Sequence, residues 1–256
     1  MTEVIAQGGI DTSVENGIGT IVFHHPKSNS LPSKVLKEFA RAIYDMGDNK
    51  DVRVIVIRSE GSGAFCSGAS FDELLALTEF DPAKEFFMGF ARVINAIRKV
   101  NKFVIGRVQG KAVGGGVGVA SAVDYCFATE GASVKLSELA VGIGPFVVGP
   151  AVERKMGTSA FTSLAINATE WRDASWAKNN GLYMDVYSSE ADMDAAILNL
   201  ANTLAKSSPD AMKELKRVAW EGTENWDEFL EKRAEISGRL ILSDFSKDFI
   251  NSFKSK

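Results

Sequence analysis

Apolar positions along the first half of the chain switch repeatedly between two periods. Residues 17–25 (GIGTIVFHH) and 52–60 (VRVIVIRSE) are short β-branched runs, the first stopped by Pro26, and both predict strands. Between them, residues 33–49 repeat at helical spacing, with Val35, Leu36, Phe39, Ile43 and Met46 on one face. Residues 82–100 do the same through Phe86, Phe90, Val93, Ile94 and Ile97, and strands follow at 102–110 and 124–130. Strand and helix in alternation predict an α/β chain built on a largely parallel sheet. After about residue 145 the pattern becomes helix upon helix, at 188–207, 208–222, 225–242 and 243–256. Ser208 or Asp210, Asn225 and Asp244 are the expected amino-terminal caps.

Composition narrows the function classes. The chain has 256 residues, 24% of them charged and 45% hydrophobic, which suits one large globular domain or a domain with a helical appendage. The net charge is −4 with no basic block, so no nucleic-acid partner is expected. No apolar run approaches the ~20 residues that span a bilayer, and no membrane association is expected. The opening MTEVIAQGGIDT lacks the basic and apolar regions of a secretion signal. Two cysteines in separate segments, Cys66 and Cys126, suit a reducing compartment, so a cytoplasmic location is expected. The only histidines, His24 and His25, are adjacent in a strand and face opposite ways. They cannot share a metal, and a surface pair is expected. No Cys/His metal spacing, G-x-S-x-G elbow or Walker motif is present, so no metal site is expected.

Against this background stands GKAVGGGVGVASAVD, residues 110–124, with three consecutive glycines before a small apolar run. Gly114, Gly116 and Ser121 nearly give a dinucleotide fingerprint, with Glu138 at the distance of a ribose-binding acid. The context is wrong: QGKAV separates the glycines from the strand, and the interval to Asp124 is too short for a βαβ crossover of ~10–12 residues. Packing of a short helix against a sheet explains Gly118 and Ala120 better than it explains the triplet. The remaining reading is a helix start whose free N–H groups face a ligand oxygen. A second stretch of the same character, GSGAFCSGASFDELL at 61–75, also follows a strand and opens a helix. Two such turns meeting at one oxygen make a two-amide oxyanion hole.

These blocks, together with HHPKSNSLPSKVLKEF and WAKNNGLYMDVY, stand in an order that resembles the crotonase, or enoyl-CoA hydratase/isomerase, superfamily over nearly the whole chain. The resemblance implies a spiral of ββα units over residues 1–195 and a C-terminal helical region over 196–256 that mediates a homotrimer or a dimer of trimers. It puts the oxyanion amides at Ala69 and Gly115 and the catalytic carboxylate at Glu138. It implies an unsaturated acyl-CoA thioester as substrate, with coenzyme A part of the substrate and no separate cofactor. The nucleotide end is expected near Lys27, Ser67 and Ser70. A thioester carbonyl polarised by two amides acidifies its α-carbon, each donor being worth roughly 3–4 kcal/mol in the transition state. Glu138, among Leu136, Leu139, Val141 and Ile143, then shuttles the proton from an apolar pocket. Cys66 is read as packing, and Phe86, Phe87 and Phe90 as core side chains able to line the acyl pocket.

The chain departs from the family pattern at informative places. Hydratases with two acids carry a second Glu where this chain has Gly118, and the dienoyl isomerases' extra acids are also missing, with Pro145 and Phe146 nearby. Ser70 stands where Asp is common. One acid suffices to move a double bond, as in Δ3,Δ2-enoyl-CoA isomerases, while hydration divides naturally between two. A substrate with its own carboxylate, as for a methylglutaconyl-CoA hydratase of leucine breakdown, supplies the missing group itself. A decarboxylase on a carboxylated acyl-CoA and a non-catalytic CoA-binding protein complete the alternatives.

Overall fold

The computed structural model describes residues 7–254. Residues 1–6 of the stretch read for a secretion signal, and residues 255 and 256 of the last expected helix, lie outside the described residues. Nine strands and ten helices are defined among those described. The main sheet runs β1 (Gly9–Glu15), β2 (Ile18–His24), β3 (Val54–Ser59), β4 (Val104–Val108), β6 (Tyr125–Thr129), β9 (Asp185–Tyr187) in spatial order. Only the β1–β2 hairpin is antiparallel; every other pairing in this sheet is parallel, as the alternating pattern requires. A second sheet holds β5 (Ala112–Val113), β7 (Ser133–Lys135) and β8 (Arg172–Asp173).

The second sheet gives the fold its spiral. Each turn adds a strand to the main sheet, then a short extended piece to the second layer, then a helix. After β2 the extended piece is Leu31, bridged to Ala69, and it leads into α1 (Ser33–Asp48). After β3 it is Cys66, bridged to Ala112, ahead of α2 (Phe71–Ala76) and α3 (Phe80–Lys99). After β4 it is β5, entering α4 (Gly115–Ala122); after β6 it is β7, followed by α5 (Gly149–Ile166). The loops between sheet layers therefore stack on one another, and the glycine-bearing turns come to lie side by side.

Both faces of the main sheet are covered. Ile55 and Ile57 of β3 join the large core beneath α1 and α3, while Val54 and Val56 face a smaller cluster with Ile105, Phe127, Met193 and Ile197. That second cluster is closed by α7 (Glu190–Ala205), which follows the short α6 (Ala174–Asn179). The division expected after residue 195 falls inside α7. Buried Arg107 of β4 ties this helix down, its guanidinium bonded to Asp194 and, at 2.8 Å, to Glu190.

The C-terminal helices α8 (Pro209–Ala219), α9 (Trp226–Leu240) and α10 (Asp244–Lys254) occupy the expected segments, but the caps differ in part. Ser208 caps α8 and Asp210 sits in its first turn; Asn225 is at the cap position without a side-chain bond. For α10 the Ser243 hydroxyl accepts from Ser246 N, and Asp244 is already helical. A shorter hydroxyl reaches the N3 amide from one residue earlier. Asp124, at the start of β6, links these helices to the core. Its carboxylate accepts from Val104 N at 2.7 Å and Trp220 Nε1 at 3.0 Å, and pairs with buried Lys216 at 2.9 Å. Asp124→Ala leaves that ammonium uncompensated in the interior, so chemical denaturation should show a loss of about 3–5 kcal/mol.

Candidate active site

The turn after β3 and the turn after β4 are hydrogen-bonded to each other. Cys66 N donates to Lys111 O at 3.1 Å, and Val113 N donates to Cys66 O at 2.9 Å. The first turn is held from its other side by Leu31 N on Gly68 O, 2.8 Å, and Ser67 N on Ser28 O, 3.1 Å. Gly68 has φ +86°, and a methyl group there would lie 2.7 Å from Val113 O. Glycine is required by conformation and by space. The Gly68 α-carbon thus faces the second turn directly: its missing methyl would stand 3.4 Å from Gly115 N.

The glycine triplet has a separate reason at each position. Gly114 has φ +52° and touches the Glu138 carboxylate, Oε1 lying 3.0 Å from where its methyl would be. At Gly115 a methyl would fall 2.1 Å from the Phe90 ring, and at Gly116 2.7 Å from Cys66 Cβ. Gly114 N is spent on Lys135 O at 2.9 Å. Among the described residues, the N–H groups of Ala69 and Gly115 have no backbone acceptor, and both residues line the same cavity. Packing and an open helix start, set out as alternatives on the sequence, are here one arrangement.

That inner cavity measures about 50 Å³. Ala69, Gly115 and Glu138, the residues assigned to the oxyanion hole and the acid, line it together with Phe87, Phe90, Val141 and Ile143, and Ser67, assigned to the nucleotide end, lines it as well. Leu136 is buried in the core instead, and Leu139 is 52% exposed on the outside, because the turn at 138–143 points it away. Phe86 is likewise core. Phe146, Val148 and Ser237 are wall residues that the sequence did not single out as such. Ser237 comes from α9, and no local spacing connects it to Glu138.

An outer cavity of about 570 Å³ adjoins the inner one and shares Ser67, Ala69, Phe71, Val113, Ser137 and Val141 with it. Lys27, Ser67 and Ser70, the residues expected at the nucleotide end, all line it. Lys27 is paired with buried Asp72, and Ser70 is buried with its hydroxyl capping α2 at Glu73 N. Their polar capacity is largely used within the protein. Lys135 and Trp171 line the same cavity, and Lys111 reaches the same ring from beside it, the two ammonium groups standing 4.4 Å (Lys135) and 5.0 Å (Lys111) from the ring centre. Neither forms a salt bridge among the described residues, and burial together with the Lys111 charge holds the Lys135 ammonium below its usual pKa. The sequence offers no sign of this trio, whose members come from three strands of the second sheet and its approaches.

One further residue corrects the sequence expectation. His24 is part-exposed beside Asp11, Nε2 to Oδ2 3.5 Å, but His25 is buried rather than a surface residue. The ring Nδ1 of His25 sits 2.8 Å from Ser30 Oγ and accepts from Lys27 N, so it shapes the loop before α1. Cys66 is buried, and burial pushes its thiol up to about 12, which leaves it inert packing. No group of three or more His, Cys, Asp or Glu side chains is placed to hold a metal among the described residues, and no helix there is long and apolar enough to cross a membrane.

Glu138 is the charged side chain of the inner cavity. Its Oε2 is shielded and has no hydrogen-bond partner, and burial pushes the carboxyl up from its usual 4.5 to about 7. A raised folded-state value means the native protein holds a proton that the unfolded chain releases between these two pH values. Native stability therefore falls as pH rises from about 4.5 through 7. Glu138→Gln removes this dependence, so its thermal denaturation should match the parent at pH 4. At pH 8 it should be more stable, by at most roughly 3 kcal/mol.

The chain is similar to known proteins along nearly its whole length. The model of the enoyl-CoA hydratase/isomerase family matches residues 13–253. A probable enoyl-CoA hydratase of Bacillus subtilis (strain 168) is 26% identical over 249 residues, 96% of each chain. The mitochondrial methylglutaconyl-CoA hydratase of Homo sapiens is 32% identical over 200 residues, 77% of this chain and 58% of that one. The crystal structure of an enoyl-CoA hydratase from Bacillus halodurans superposes with a TM-score of 0.87 at 19% identity, over 95% of this chain and 99% of that one. With a superposition over 95% of the chain and a family match along residues 13–253, the chain belongs to the enoyl-CoA hydratase/isomerase family.

Proposed function

We propose that the protein moves a double bond between the β,γ and α,β positions of an acyl-CoA thioester, with Glu138 as its single proton carrier. The observation that carries this reading is one desolvated carboxylate in an apolar cavity, set against a turn whose Gly115 N–H is uncommitted. The thioester oxygen takes the Ala69 and Gly115 amides. The Glu138 carboxylate removes the α-proton, and the electron pair moves into the carbonyl as an enolate held by the two donors. The carboxylic acid so formed returns the proton to the γ-carbon, and the double bond settles between the α- and β-carbons. A carboxyl near 7 is suited to both halves, since it is close to balanced between base and acid at neutral pH.

The coenzyme A arm leaves through the outer cavity, past Ser67 and Lys27. Its phosphates are drawn by Lys135 on that rim and by Lys111 beside it, neither of which forms a salt bridge among the described residues. A second reading, hydration, is favoured by the names of the relatives and by the Ser137 and Ser237 hydroxyls in the inner wall, which can orient a water.

Matched β,γ- and α,β-unsaturated acyl-CoAs incubated in deuterated water and analysed by mass separate the readings. Interconversion without added water supports isomerisation, a gain of one water supports hydration, and a loss of mass indicates decarboxylation. CoA binding without turnover supports the binding protein. With isomerisation, kcat/KM should rise with pH through about 7, and Glu138→Gln should lower kcat roughly 10²- to 10⁴-fold. Replacing Lys111 and Lys135 together by Gln should weaken binding of coenzyme A about tenfold or more while leaving that of pantetheine unchanged, as read by calorimetry.

A further inference from the structure

The inner cavity is small and charged at one point only. A buried water takes up ~10–15 Å³ of such space, so about 50 Å³ holds on the order of four water-sized atoms, the length of a four-carbon acyl chain. Phe87, Phe90, Ile143, Phe146 and Val148 wall it in. Among the described residues, no Lys, Arg or His lines it, and Glu138 is its sole ionisable group. A carboxylate on the acyl group would bring a second anion against Glu138 with no cation among the lining residues to balance it.

Val148 decides the shape of the far wall. It lines the cavity and packs directly on Gly118, where a methyl group would lie 2.6 Å from both its Cβ and its Cγ1. The isopropyl group therefore stands between position 118 and the cavity, in the space a second acidic side chain from that position would cross. Its backbone is fixed by the start of α5, Val148 O accepting from Val152 N at 3.2 Å. Val148 thus both lines the cavity and occupies the space next to position 118.

We infer that this site accepts a short, uncharged acyl group and that Val148 is the residue that sets the limit. The inference rests on the reading of the site as an acyl-thioester site. It distinguishes the protein from the relative named a methylglutaconyl-CoA hydratase, whose named substrate bears a carboxylate in its acyl part.

Calorimetric binding of the unreactive butyryl-, octanoyl- and glutaryl-CoA to the full chain, compared with free coenzyme A, tests this without requiring turnover. Butyryl-CoA should bind at least about tenfold more tightly than the other two esters, since each misfit methylene in such a pocket is worth roughly tenfold or more. Val148→Gly, with Val148→Ala as the milder variant, should narrow the butyryl-to-octanoyl gap and leave glutaryl-CoA weak. Equal affinity for the three esters in the parent protein overturns the inference while the acyl-CoA reading stands. A butyryl-to-octanoyl gap that neither folded variant changes removes Val148 from the role. Failure of every ester and of free coenzyme A to bind overturns both readings together.

Discussion

The main-chain pairing of Cys66 with residues 111–113 brings two turns, each at the carboxyl end of a parallel strand, within contact distance. Side chains cannot be accommodated there. Gly68 faces Val113 O, Gly114 faces the Glu138 carboxylate, Gly115 faces the Phe90 ring and Gly116 faces Cys66. Removing the side chains is what leaves the Ala69 and Gly115 amides bare, because a helix start and a tight turn both leave N–H groups without internal partners. The same closeness makes the cavity apolar, since what remains to line it are the aromatic and aliphatic groups of α3 and the 141–148 segment.

Desolvation then links stability to chemistry. A carboxylate whose Oε2 lacks any partner is unfavourable in the folded protein at neutral pH, and that same unfavourable term brings its proton affinity near neutrality. The rest of the fold tolerates it because buried charges elsewhere are compensated. Arg107 has two carboxylates on α7, and Lys216 has Asp124 and two carbonyls. The outer cavity shows the opposite arrangement: Lys135 on its wall and Lys111 beside it form no salt bridge among the described residues.

The elements written in local periodicity were legible, and those that depend on distant contacts were not. The amphipathic run at 33–49 became α1 with Val35, Leu36, Phe39, Ile43 and Met46 buried, as its spacing required. The hydrophobic repeat of 82–100 became α3, two residues longer at its start. Ala69, Gly115 and Glu138, which the family resemblance groups together, line one cavity. Leu139 failed as a wall residue since one turn redirects it outward, and His25 failed as a surface residue since Ser30 and Asn29 fold back onto it. Neither effect has a period.

By itself the sequence determined the alternating α/β plan, the helical carboxyl end and the two glycine turns, each being a matter of residue type and spacing, whereas Glu138 was singled out only by the family resemblance. The tertiary structure alone decided what fills the space around them. Val148 lies against Gly118, Ser237 enters from α9, Asp72 takes the charge of Lys27, and Trp171 gathers two lysines. These contacts join segments tens of residues apart across two sheets, and which side chains meet there is fixed by the packing of whole layers, for which local pattern carries no signal.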